Sequence, residues 1–171
     1  MSNETYNLEQ NESNSNSGVS PYLPRGIYKW RITKEPTAAK SKLKPGGGGG
    51  NDYLLFDVEV VDPGTVVVRG EEITVAGSDS NIYATFVKGT NLTLAAIHRA
   101  GGLPLQFEVD EKTKIPLDAS GTPFRYTGIE FQAQGYSQEY VQKDDNGVEL
   151  VNPMTGEVLK SYNRRVGHIF A

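Results

Sequence analysis

Four stretches of the chain alternate apolar and polar residues with a period of two, the mark of a strand with one buried face. In GIYKWRITK, Tyr28, Trp30 and Ile32 share one side while Lys29, Arg31 and Thr33 share the other. YLLFDVEVVD places Leu54, Phe56, Val58 and Val60 inward and Asp57 and Glu59 outward. NIYATFV sets Ile82, Ala84 and Phe86 against Tyr83 and Thr85, and YTGIEFQAQGY puts Ile129, Phe131 and Ala133 on one face. VVVRGEEITVAG reads as strand, Arg-Gly turn, strand. The period lengthens once. TNLTLAAIHRAGG offers Thr90 or Asn91 as N-cap, an apolar stripe of Leu92, Ala95, Ala96 and Ile97, and Gly101 as C-cap, which predicts one short helix. GLPLQFEV then reads as a strand, and residues 136–165 as a hairpin extension with DDNG and NPMTGE turns.

With residues 66–87 counted as one interrupted strand, the order is three strands, a helix and two strands. That order predicts an all-β fold with one short helix, an OB-fold-like antiparallel barrel over residues 20–171. Residues 1–19 are rich in Asn, Ser and Glu and carry few sizeable apolar side chains, which predicts a disordered acidic tail. The first two strands are joined by residues 35–51, which contain KSKLKPGGGGG. Five consecutive glycines lose more conformational freedom on ordering than any other five residues, so this loop is expected to stay mobile until a ligand orders it.

Charge sharpens the picture. The net charge of −4 is unevenly spread: residues 1–24 carry three glutamates and no cation, whereas residues 25–44 carry seven cations against Glu35 alone. A basic patch on an acidic chain points to an anionic partner. The absence of cysteine excludes disulfides and thiolate-ligated metal, and two histidines are too few for a histidine-rich metal site. No apolar run approaches the ~18 residues of a membrane span, and the first residues lack the charge and apolar pattern of a secretory signal. A cytoplasmic protein that uses no cofactor is expected.

Catalytic patterns are missing. The glycine run is not followed by Lys-Ser/Thr, and neither Gly-x-Ser-x-Gly nor His-Glu-x-x-His occurs. His98 lies within the predicted helix, where a surface or helix-end role is expected rather than proton transfer. Asp57 and Glu59 fall opposite Lys29 and Arg31, so cross-strand ion pairing accounts for these carboxylates. Lys40, Lys42 and Lys44 differ, because no carboxylate occurs between Glu35 and Asp52.

Single-stranded nucleic acid needs a cationic track for its backbone and aromatic faces for its bases. Tyr28, Trp30, Phe56, Phe86 and Phe131 are assigned to the core. Tyr53 and Tyr83 take the opposite faces of their strands, and Tyr136, Tyr140 and Tyr162 lie near the C-terminus. The candidate contacts are therefore Lys29, Arg31, Lys40, Lys42, Lys44, Tyr53 and Tyr83, with Lys160, Tyr162, Arg164 and Arg165 beyond them.

LPRGIYKWRITKEPTAAKSK, NDYLLFDVEVVD, TNLTLAAIHRAGGLP and RYTGIEFQAQ together resemble the single-stranded-DNA-binding OB-fold proteins encoded by tailed bacteriophages. The resemblance spans about residues 23–135. It implies a non-catalytic protein that coats displaced strands in phage replication or recombination, in the host cell cytoplasm. It supports Lys40, Lys42 and residues 53–62 as elements of the groove. Many single-strand-binding proteins recruit replication partners through an acidic C-terminal tail, but this chain closes with RRVGHIFA. Contacts with replication or recombination proteins would fall to residues 1–19. RNA is an alternative ligand and a homo-oligomer stays open. The rival expectation is a structural or interaction β-barrel, such as a virion accessory protein.

Overall fold

The computed structural model describes residues 18–40, 42, 45–47, 50–85 and 92–170. The fold is mostly antiparallel β-sheet with a single short helix among the described residues. The strands are β1 (Gly26–Ile32), β2 (Thr37–Lys40), β3 (Asp52–Asp62), β4 (Thr65–Val68), β5 (Glu71–Thr74) and β6 (Asp79–Thr85). The helix α1 (Leu92–Ala100) follows, then β7 (Glu108–Val109), β8 (Pro116–Leu117), β9 (Glu130–Val141) and β10 (Lys160–Phe170).

One six-stranded sheet carries the architecture. Its ladders join β10 to β9, β9 to β1, β1 to β3, and β3 to both β2 and β6. The path β10-β9-β1-β3-β6 is the neighbour order of the five OB-fold strands. The barrel is not closed by a ladder. β6 and β10 are instead joined by side chains: Ser80 Oγ donates to the Arg164 carbonyl at 2.7 Å, and Arg164 Nη1 meets Asp79 Oδ1 at 2.6 Å.

Alternation places the core as the pattern requires. Tyr28, Trp30, Ile32, Leu54, Phe56, Val58, Val60, Ile82 and Ala84 are all buried on the concave side, with Phe131, Ala133 and Ile169 from β9 and β10. Trp30 is fully buried, and its indole N–H donates to the Ala133 carbonyl at 3.3 Å. Gly135 makes room for this ring, since a Cβ there would stand 2.8–2.9 Å from Leu23, Tyr28 and Trp30. Phe86 lies outside the described residues.

Several expectations are corrected. The loop over 35–51 is not free throughout, because β2 pairs with the start of β3 and puts Lys40 opposite Asp52. The third sheet strand is β6 alone. β4 and β5 form a separate hairpin around Arg69 (φ 51) and Gly70 (φ 80), the left-handed pair of a type I′ turn. GLPLQFEV supplies only the two-residue β7, and the expected extension over 136–165 is an arm only across 142–159, its two ends belonging to the sheet strands β9 and β10. The folded unit also begins before residue 20: Val19 bridges Thr74, and the Ser20 N–H donates to the Thr74 carbonyl.

The helix buries a different stripe from the one expected. Leu94, Ala96, Ile97 and His98 face the core, whereas Leu92 is exposed. The helix ends on Gly102 (φ 67) rather than Gly101: the Leu103 N–H donates to the His98 carbonyl and the Gly102 N–H to that of Arg99, the Schellman pattern. Thr90 and Asn91, the expected N-caps, lie outside the described residues.

Candidate nucleic-acid interface

The polar face of β3 turns away from the core and carries Tyr53, Leu55, Asp57 and Glu59 at alternate positions, all half-buried. Register places Asp57 opposite Asn81 and Glu59 opposite Asp79 on β6, with Tyr83 opposite Leu55. β10 approaches the far side of β6 and brings Tyr162 and Arg164. The three strands enclose an open groove of about 770 Å³, lined among others by Asp57, Glu59, Tyr83, Tyr162, Arg164 and Arg165.

Two pairs of aromatic rings flank it. Tyr53 and Tyr83 sit with ring centroids 5.3 Å apart, and Tyr83 is 55% exposed. Tyr162, also in the lining, packs edge-on against Tyr22 at 5.3 Å, both rings partly open to solvent. Tyr22 escaped sequence reasoning because it precedes the first strand, and only its place beside Pro21 hints at an ordered position. Tyr136 lies under the Arg25 guanidinium at 4.6 Å, away from this pair.

Charge in the groove is balanced pair by pair. Glu59 and Asp79 face one another across the β3–β6 ladder, a repulsive arrangement by itself. Each is answered from another strand: Arg31 Nη2 lies 2.5 Å from Glu59, and Arg164 holds Asp79. Asp57 takes Lys34 at 2.7 Å. Ion pairing of Asp57 and Glu59 is thus observed, but Lys29 is not part of it. Lys29 sits opposite Asp62 and Gln132, and its ammonium lies 4.0 Å from Glu130.

The remaining expected contacts divide. Arg165 lines the groove and donates to Gln138 Oε1 at 3.1 Å. Lys160 pairs with Glu139 at 3.0 Å, a bond that holds its ammonium above the usual lysine value, and does not line the groove. Lys40 is in β2, 4.0 Å from Asp52, at a separate cleft. Lys42 is exposed, and Lys44 lies outside the described residues. Tyr53, Tyr83, Tyr162, Arg31, Arg164 and Arg165 are therefore brought to one face, and Lys29, Lys40 and Lys160 are not.

Arg164 differs from the other cations. Its side chain is only 19% exposed, and besides Asp79 it donates through Nη2 to the Ser20 carbonyl at 2.8 Å. It fastens β6, β10 and the incoming N-terminal segment together. Exposed pairs such as Arg31–Glu59 and Lys34–Asp57 are worth about 0–1 kcal/mol, so these cations can turn from carboxylate to phosphate at little cost. Arg164 cannot without loosening the seam.

His98 is the largest departure from expectation. It is fully buried, with Nδ1 at 2.7 Å from the Pro104 carbonyl and Nε2 at 2.7 Å from the Tyr126 hydroxyl. Satisfying both places the proton on Nδ1 and makes Nε2 the acceptor. Burial pushes the imidazole below its ordinary value, opposed by the bond to Pro104. Phe107, Phe124 and Tyr126 surround the ring. Compared with protein-family models, curated proteins and solved structures, the chain matches none.

Proposed function

We propose that this protein is a non-catalytic, sequence-tolerant single-stranded-DNA-binding protein, acting in the phage replication or recombination setting that the resemblance implies. The observation that carries the reading is the shared face: Tyr83, Tyr162 and Arg165 line one open groove, and Arg31 and Lys34 are paired to its carboxylates Glu59 and Asp57. Stacking rings beside reorientable cations suit a strand of any sequence, because every base has a π-face. The groove's carboxylates are each engaged by a cation, and His98 is sealed in the core, which supports binding over catalysis. No helix among the described residues is long and apolar enough to cross a membrane, and the host cytoplasm is the proposed location.

A protein-docking role is the second reading, favoured by residues 142–159. Val148, Val151 and Met154 are all exposed there, Met154 at 93%. Anisotropy of labelled oligothymidine at two salt concentrations tests the first reading. Binding that weakens with salt, and weakens further in Tyr83→Ala, is expected. Absence of binding at low salt overturns it. An oligouridine arm reads the preference between DNA and RNA.

A further inference from the structure

A second cleft lies where β2 ends and β3 begins. Its volume is about 260 Å³, and Lys40, Asp52, Lys112, Thr113 and Lys114 line it. Three lysines from two distant segments thus line one cleft beside a single carboxylate. Lys40 lies 4.0 Å from Asp52, whereas Lys112 and Lys114 have no carboxylate within 4.0 Å among the described residues.

The fold works to hold these lysines there. Residues 110–114 form a tight turn in which Asp110 Oδ1 accepts the backbone N–H groups of Lys112 and Thr113, both at 2.8 Å. The Lys114 N–H donates to the Asp110 carbonyl at 2.9 Å, and Lys114 itself adopts φ 60, unusual for a side chain of its size. Asp110 is thus engaged mainly by the turn's own backbone, and it attracts the Lys114 charge without an ion pair within 4.0 Å. Glu111, the remaining acid of the turn, is exposed and does not line the cleft.

We infer that Lys40, Lys112 and Lys114 bind a phosphate of the nucleic-acid backbone, so that a bound strand leaves the groove past Tyr53 and Tyr83 and turns around the end of β3 into this cleft. The inference rests on the function proposed above. Its geometry is short-range: Asp52 begins β3 one residue before Tyr53, and alternation puts the two on opposite faces of the strand end. The cleft can hold a phosphate group and several waters, at about 30 Å³ for each water. Lysine suits this task as a mobile point charge.

The test compares oligothymidines of about 6 and about 16 nucleotides, both within the range covered by one OB fold. Lys112→Gln combined with Lys114→Asn removes two charges while keeping a residue that tolerates positive φ. The expected result is unchanged binding of the short oligomer and weaker binding of the long one. The log–log salt slope for the long one should also shrink by about 1.4, from roughly 0.7 for each lost contact. Lys112→Glu, at an exposed position, reads the same slope should the double variant melt early. Identical slopes in parent and variants overturn the cleft while leaving the groove intact. If the parent binds neither oligomer, the proposed function fails and the path with it. Tripolyphosphate separates a free anion from a strand: binding at Lys112 and Lys114 that does not compete with the long oligomer also overturns the path.

Discussion

At the scale of single residues, His98 and the tyrosines divide the labour between stability and binding. His98 joins the helix to the Tyr126 hydroxyl and the Pro104 carbonyl inside an aromatic cage, so removing it strands the buried Tyr126 hydroxyl and frees a partly buried carbonyl. His98→Leu should cost about 2–4 kcal/mol in urea unfolding, the range for a buried polar link cut on both sides. Its pH signature follows from the direction of the shift. A folded imidazole held below its ordinary value binds fewer protons than the unfolded chain, so stability is full above about pH 6.5 and is lost as pH falls through the folded value. In urea melts at pH 7 and pH 5 the parent should lose this contribution and His98→Leu should not. Equal pH dependence in both would place the titration elsewhere. Tyr83→Ala should do the reverse. Its ring is more than half exposed, so folding should be nearly unaffected while single-strand binding weakens by about 1–3 kcal/mol.

Elements are where local pattern and tertiary context part company. Alternation made the inward faces of β1, β3 and β6 legible, because side-chain direction in a strand is a property of the strand itself. It also separated Tyr53 and Tyr83 from the core correctly. It could not find β2, four residues whose reason for being a strand is the β3 edge beside them. His98 falls outside the expected helix stripe because histidine counts as polar in a pattern, and its burial is made tolerable by the Pro104 carbonyl and by Tyr126, 28 residues on. The partners of Arg164 escape the pattern in the same way. Its neighbours in sequence suggest a phosphate contact, whereas its partners Asp79 and Ser20 come from other elements and make it a clasp. Arg164→Gln should therefore loosen the β6–β10 seam. Amide exchange over β6 should quicken and stability should fall by about 1–3 kcal/mol, the range for a charge-assisted bond lost from a partly buried site. A variant with unchanged exchange but a reduced DNA salt slope would return Arg164 to the set of phosphate contacts.

For the molecule as a whole, the distribution of charge decides which way a bound strand can run. In OB folds the loops after the first and fourth strands flank the binding face, and here these are residues 33–51 and 142–159. The two are opposite in character. The first carries Lys34, Lys40, Lys42 and Lys44 against Glu35, a net +3, whereas residues 142–159 carry Lys143 against Asp144, Asp145, Glu149 and Glu157, a net −3. They are also internally tied, with bridges joining Lys143 to Glu149 and Val151 to Val158. Apolar side chains and a negative field repel phosphate and suit a protein surface. Replacing residues 143–158 by an Asn-Gly turn should leave the sheet intact, because β9 and β10 pair from Val141–Lys160 inward without the arm. The shortened protein should bind oligothymidine at least as tightly as the parent, with the same salt slope, since no phosphate contact is lost. Its thermal midpoint should change little, because loop length enters closure entropy only logarithmically. A clear loss of affinity in a folded variant would put the arm on the nucleic-acid path and reverse the direction assigned to the strand.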